Sequence, residues 1–108
     1  MKKVKEYQIE FLVLENGHCP FQDWIDNLDA KIQRRIDGRI RRIALGNFGD
    51  CKNTGKGVLE LRLHFGPGYR LYFSKLEDTY VFLLAGGTKK TQKEDIRRAQ
   101  SMWEKYKR

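Results

Sequence analysis

The residues with the most chemical potential lie in one short stretch. Glu60, Arg62 and His64 alternate with Leu59, Leu61, Leu63 and Phe65, and Arg70 and Tyr72 alternate with Tyr69, Leu71 and Phe73. Successive side chains of a strand point to opposite faces. With the leucines inward, Glu60, Arg62 and His64 share the other face, and Arg70 and Tyr72 join them across the Gly66-Pro67-Gly68 turn. Lys89 and Lys90 follow the next strand closely. One open sheet face is therefore expected to gather Arg62, His64, Arg70, Tyr72 and one or two lysines, a surface suited to a phosphodiester backbone.

The same side chains contain the parts needed to cleave RNA. A base must take the ribose 2′-hydroxyl proton, cations must stabilise the pentacoordinate phosphorane, and an acid must protonate the departing 5′-oxygen. Arginine and lysine suit the second task, being permanently charged donors of several hydrogen bonds. Arginine is a poor base, with a pKa above about 12. His64 is the side chain on this face whose ordinary pKa lies near neutrality, which makes it the natural acid or base. Glu60 is a weaker candidate for base and is equally suited to pair with Arg62. His18 has no basic neighbours and receives no role.

The elements that must position these groups read as follows. Tyr7, Ile9, Phe11 and Val13 alternate with Gln8, Glu10, Leu12 and Leu14, a first strand covered on both faces. Pro20 suits a first helical turn, and Phe21, Trp24, Ile25 and Leu28 follow at helical spacing. Ile32, Ile36, Ile40 and Ile43 form the stripe of a second helix, surrounded by Lys31, Arg34, Arg35, Arg39, Arg41 and Arg42 and ending near Gly46. The two helices read as an antiparallel hairpin, and residues 46–57 read as a long loop. After the Leu59–Phe65 and Tyr69–Phe73 strands, Tyr80–Ala85 is apolar on both faces, as in a central strand. Thr91-x-x-Glu94 has the form of a capping box, and the helix it opens carries Ile96, Ala99, Trp103 and Tyr106 on one stripe. The order β-α-α-β-β-β-α predicts an α+β domain in which an antiparallel meander sheet packs against a helical hairpin, with a C-terminal helix.

With 108 residues the chain is one domain, 1–108. Its 40% hydrophobic content exceeds what a disordered chain carries. No apolar run approaches the roughly 20 residues that span a bilayer, and the opening Met1-Lys2-Lys3-Val4-Lys5 leads into charged residues instead of an apolar signal core. No membrane partner is expected. Cys19 and Cys51 are far apart, and with two histidines they give no zinc spacing; a reduced, cytoplasmic protein is the simplest expectation. Net charge is +8, concentrated in residues 29–57 and 89–108, and such basic segments favour a polyanionic partner. Gly49–Gly57 has the wrong spacing for a P-loop, and its lysine lacks the following hydroxyl residue; Gly66-Pro67-Gly68 lacks the third glycine of a dinucleotide fingerprint.

The segments Leu59-Glu-Leu-Arg-Leu-His-Phe-Gly-Pro-Gly-Tyr-Arg-Leu-Tyr-Phe73 and Leu84-Ala-Gly-Gly-Thr-Lys-Lys-Thr-Gln-Lys-Glu-Asp-Ile96 resemble the RelE/ParE toxin superfamily, in particular its phage-derived addiction module killer protein branch. The resemblance runs from Tyr7 to Tyr106. It implies the toxin of a type II toxin–antitoxin system, silenced by a cognate antitoxin, a small helix-turn-helix protein encoded beside it. RelE-like members are ribosome-dependent endoribonucleases that cut mRNA in the decoding site, using a cleft between the sheet face and the terminal helix. By position, Arg70 matches the family's phosphate-stabilising arginine and Arg62 one of its basic strand residues. His64 lies where some members carry a cleft histidine or arginine, and Lys89 where a second arginine stands. The tyrosine that some members carry near the start of the last helix has no counterpart, since Asp95 and Ile96 stand there; Asp95 matches an acidic residue of HigB-like toxins.

The resemblance thus implies an mRNA interferase that inhibits translation, needing neither metal nor cofactor. Arg70, His64, Arg62, Lys89 and Asp95 are its expected catalytic set, and Arg62, Arg70, Tyr72, Lys89, Lys90 and Lys93 its expected RNA contacts. The ribosome and mRNA are the expected partners. The alternatives are a ParE-like, non-enzymatic inhibitor of DNA gyrase on the same scaffold, and a plain nucleic-acid-binding module resting on net charge alone.

Overall fold

Alternating leucines give the sheet its centre. The computed structural model describes residues 6–107; the charged opening Met1–Lys5 and the final Arg108 lie outside the described residues. The elements are β1 (Gln8–Phe11), α1 (Pro20–Asp26), α2 (Ala30–Ala44), β2 (Cys51–Gly55), β3 (Val58–Leu63), β4 (Tyr69–Leu76), β5 (Tyr80–Thr88), a 3₁₀ turn (Lys89–Thr91) and α3 (Gln92–Lys107). Five strands form one sheet in the order β1-β5-β4-β3-β2. The α+β class and the terminal helix are as the pattern predicts, with two changes. β1 pairs parallel with β5, so the sheet is mixed, with β2 to β5 as the antiparallel meander. The expected loop 46–57 contains the edge strand β2, which turns into β3 through Lys56 and Gly57, both at positive φ as a two-residue hairpin turn requires.

Each sheet face has its own core. On one face, Leu61, Leu63, Leu71, Phe73, Val81 and Leu83 pack with Phe21 and Ile25 of α1 and Ile36 and Ile43 of α2. Fully burying a side chain of this size stabilises by about 1.5–3 kcal/mol, which explains why the isoleucine stripe of α2 lies flat on the sheet. Gln33 ties α2 back to α1 by donating to the carbonyls of Ile25 and Leu28. On the other face Val58, Tyr72, Phe82 and Leu84 meet Ala99 and Trp103 of α3. The open face expected there is instead roofed over much of its extent by α3, because the helix's apolar stripe needs a sheet surface to bury. No helix among the described residues is long and apolar enough to cross a membrane.

A bulge sets the phase of β5. Tyr72 pairs with Ala85 but Phe73 with Leu83, so Leu84 is the extra residue. As a result Leu84 and Ala85 both belong to the α3-side core, and the next two residues alternate around the sheet. Gly86 lies under the Trp24 ring on the α1 side, and Gly87 under the Asp95 carboxylate on the α3 side.

Two outcomes follow from this packing. A methyl group at Gly86 would fall within the Trp24 ring, so Gly86→Ala should lower stability by about 1–3 kcal/mol as an overpacked core; an unchanged urea midpoint would place Trp24 elsewhere. The Cys51 thiol, pushed up from 9.0 to about 11 chiefly by burial and then by the Asp50 charge, should be slow to alkylate. At pH 8 its thiolate fraction falls about 10²-fold relative to an ordinary thiol, and iodoacetamide labelling of the native and urea-unfolded chain should differ accordingly.

Candidate functional site

Strand register places the polar side chains in two rows on the α3 side of the sheet. Glu60 stands opposite Tyr72, and Arg62 opposite Arg70; Ala85 and Gly87 extend the rows onto β5. Two arginines directly opposed across an antiparallel pair repel each other. The compensation comes from Glu60, which is 1% exposed. Its Oε1 accepts a hydrogen bond from Arg62 Nε at 3.1 Å. Its Oε2 accepts from the Tyr72 hydroxyl at 3.2 Å and from Gln92 Nε2 at 2.8 Å, and lies 4.0 Å from Arg70 Nε.

Arg70 is 7% exposed, and its buried Nε has no hydrogen-bond partner. Leaving a buried donor unmade costs about 1–3 kcal/mol, more for a charged group. Tyr72 is fully buried. Burial first, and then the neighbouring Glu60 charge, push its phenol well above the ordinary 10, so it stays a donor to Glu60. Tyr72, expected among the RNA contacts, is therefore placed to orient Glu60, with no surface of its own to offer.

α3 closes onto this row because Gly87 has no side chain. A Cβ there would collide with the Asp95 carboxylate and crowd the Thr91 hydroxyl. Asp95 is buried, and its Oδ2 accepts a hydrogen bond from Thr91 Oγ1. The capping box expected from Thr91 and Glu94 is replaced by a different arrangement. Thr91 belongs to the 3₁₀ turn, and its Oγ1 also accepts from the Thr88 amide at 3.4 Å. Lys89, Lys90 and Lys93 are exposed along this turn and the first turn of α3, with Lys89 packed beside Gly68 of the β3–β4 turn.

His64 stands apart from the buried row. It follows the last residue of β3, is exposed, and pairs through Nε2 with Asp50 Oδ2 at 2.6 Å. That hydrogen bond holds the Asp50 carboxyl below its ordinary 3.8. A carboxylate can only accept, so it places a proton on Nε2 and leaves Nδ1 as the basic nitrogen. Asp50 is held in turn by the Arg62 amide, which donates to its carbonyl. The structure thus joins Arg62, Arg70 and Tyr72 through Glu60 and Gln92, sets Asp95 against Gly87 in the next position of the row, and leaves His64 against Asp50. Sequence reasoning assigned no role to Asp50 or Gln92. The Gln92 signal was its place at the start of the helix that Gly87 admits, whereas nothing local marks Asp50. Among the described residues no group of three or more His, Cys, Asp or Glu side chains is arranged to hold a metal ion.

A mixed five-stranded sheet between a helix pair and a terminal helix, with arginines lining the sheet beneath that helix, defines an α+β domain consistent with the RelE-like fold. The family model for phage-derived Gp49-like proteins (DUF891) matches residues 23–104. The chain belongs to that Gp49-like family, which is associated with RelE-like toxins of addiction modules and points to a toxin that pairs with an antitoxin. An uncharacterized protein of Haemophilus influenzae (strain ATCC 51907 / DSM 11121 / KW20 / Rd) is 41% identical over 81 residues, covering 74% of this chain and 82% of the relative.

Removing Glu60 strips two arginines of their shared counter-charge. Glu60→Ala should destabilise the fold by about 3–5 kcal/mol, the range for breaking a buried ion pair from one side. Urea unfolding at constant m-value measures it, and a loss under about 1 kcal/mol would deny Glu60 this role.

Proposed function

We propose that this chain is the toxin of a type II toxin–antitoxin pair and cleaves mRNA on the ribosome. The observation that supports this most is the register that sets Arg70 opposite Arg62 beside Glu60, a cationic group with one carboxylate for two guanidiniums. A phosphate oxygen is the acceptor such a group is built to take.

In this reading the RNA backbone lies along the exposed edge of the row, steered by Lys89, Lys90 and Lys93. A base takes the 2′-hydroxyl proton, and the 2′-oxygen attacks the adjacent phosphorus. Arg70 and Arg62 stabilise the charge that grows on the non-bridging oxygens. The bond from phosphorus to the 5′-oxygen then breaks, an acid protonates that oxygen, and the products are a 2′,3′-cyclic phosphate and a 5′-hydroxyl end. His64, with its tautomer set by Asp50, supplies the basic Nδ1 or, once protonated, the acid. Asp95 is the second titratable group of the set, and Glu60, Tyr72 and Gln92 position the arginines. A helix-turn-helix antitoxin covering these elements would silence the site.

Inducing the chain without its partner and mapping mRNA 5′ ends tests the proposal. New 5′-hydroxyl ends within coding sequence are expected. Growth arrest with intact transcripts and gyrase-linked DNA breaks would establish the ParE-like alternative instead, and salt-sensitive binding without cleavage the plain binding module. Arg70→Ala should lower cleavage by about 10²-fold or more, as loss of a transition-state charge donor does; a fully toxic Arg70→Ala chain would remove Arg70 from catalysis.

A further inference from the structure

The strongest basic feature outside that row lies on α2. Arg35, Arg39 and Arg42, with Gly38 among them, fall at i, i+4, i+7 and i+3, and together with Arg34 and Phe65 they line a concavity of about 310 Å³. This stripe lies beside the buried face of Ile36 and Ile43, on the helix that packs opposite α3. Among the described residues no ion pair joins any of these four arginines to a carboxylate. The Arg35 guanidinium is stacked on the Phe65 ring, 3.6 Å from its centroid.

Two glycines shape the groove. Gly38 sits in the interior of α2, where glycine is among the least favoured residues, yet a Cβ there would meet nothing within 4 Å. Packing does not require glycine at this position; its effect is to leave the space among the arginines open. Gly49 has the opposite surroundings: a Cβ would strike Arg39 Nη2, so its bareness lets Arg39 lie against the chain. The residue after Gly49 is Asp50 and the residue before Phe65 is His64, which pair with each other. The backbone that carries Phe65 and Gly49 thus carries this pair one residue away.

We propose that this groove is a second binding site for single-stranded RNA, carrying the strand away from the cleavage row, with phosphates on Arg34, Arg39 and Arg42 and a base stacked at the Arg35–Phe65 pair. Guanidinium forks match phosphate geometry, and a stacked guanidinium and aromatic ring form the platform on which unpaired bases lie. That aromatic element favours RNA over an acidic protein segment, which would use the charges alone. The proposal rests on the RNA-cleaving reading for its choice of nucleic acid.

The test is fluorescence anisotropy with a 12-nucleotide single-stranded RNA methylated at every 2′-oxygen, which this chemistry cannot cut. Arg35→Gln/Arg39→Gln removes the stacking platform and one phosphate contact; it should weaken binding tenfold or more and reduce the slope of log K against log salt by about 0.7, the share of one phosphate contact on a single strand. Gly38→Gln favours the helix while filling the groove, and should weaken binding at least threefold with an unfolding midpoint no lower than the parent's. Wild-type affinity in both variants, or no binding by the parent chain, overturns the proposal. Loss of binding to a polyglutamate peptide with retained RNA affinity overturns it in favour of an acidic protein partner. The two readings fail separately: intact transcripts with the expected anisotropy sink only the nuclease, whereas cleaved transcripts with unaffected anisotropy sink only the groove.

Discussion

A carboxylate buried to 1% exposure decides how this sheet carries its charge. Arg62 and Arg70 face each other in register, an arrangement that would push β3 and β4 apart at that point. Glu60 offsets the repulsion unequally. One of its oxygens bonds Arg62, while the other is taken by Tyr72 and Gln92 and stays 4.0 Å from Arg70. Arg70 is thus close enough to feel the carboxylate and too far to be bonded by it. A guanidinium held in this way keeps its place while its charge is only partly offset.

The rest of the α3 side makes that position possible. Gln92 reaches Glu60 only because α3 starts directly over the sheet, and α3 starts there because Gly87 leaves room for Asp95 and Thr91. Gly87 in turn faces α3 because the Leu84 bulge shifts β5 by one residue. Without it, the alternation that puts Phe82 toward α3 would carry Gly86 to that side and Gly87 to Trp24. The apolar half of the face, built from Val58, Tyr72, Phe82 and Leu84, anchors α3 through Ala99 and Trp103. The polar half lies beneath its first turns.

How far this was legible depends on whether the information is local. Alternation over Leu59–Leu63 and Tyr69–Phe73 assigned those side chains to the faces they take, since a strand's period of two leaves no third choice. The same pattern misjudged that face as open. The apolar stripe Ile96, Ala99, Trp103 required a surface to bury, and Tyr80–Ala85, apolar on both sides, offered one; the two signals are separate in sequence and join only through packing. β2 was illegible for another reason. Lys52, Asn53 and Gly55 have little strand preference, and the segment is held by backbone pairing to β3 and by Gln100, which donates to the carbonyls of Thr54 and Gly55 from α3. Asp50 meets His64 across 14 positions and two elements, a contact that spacing does not encode.

β3 and its continuation connect the two basic regions mechanically. Glu60 and Arg62 point toward α3, His64 leads to Asp50, and Phe65 reaches across to Arg35 of α2. Between them Leu61 and Leu63 are completely buried, and β3 is paired on both sides, by β2 and β4. A strand clamped in this way cannot slide by one residue without sending its leucines to the polar side and its charges into the core. The spacing from the arginine row to Phe65, the wall of the α2 groove nearest the sheet, is therefore set largely by backbone. One rigid segment sets the distance between the row's arginines and the ring on which Arg35 is stacked.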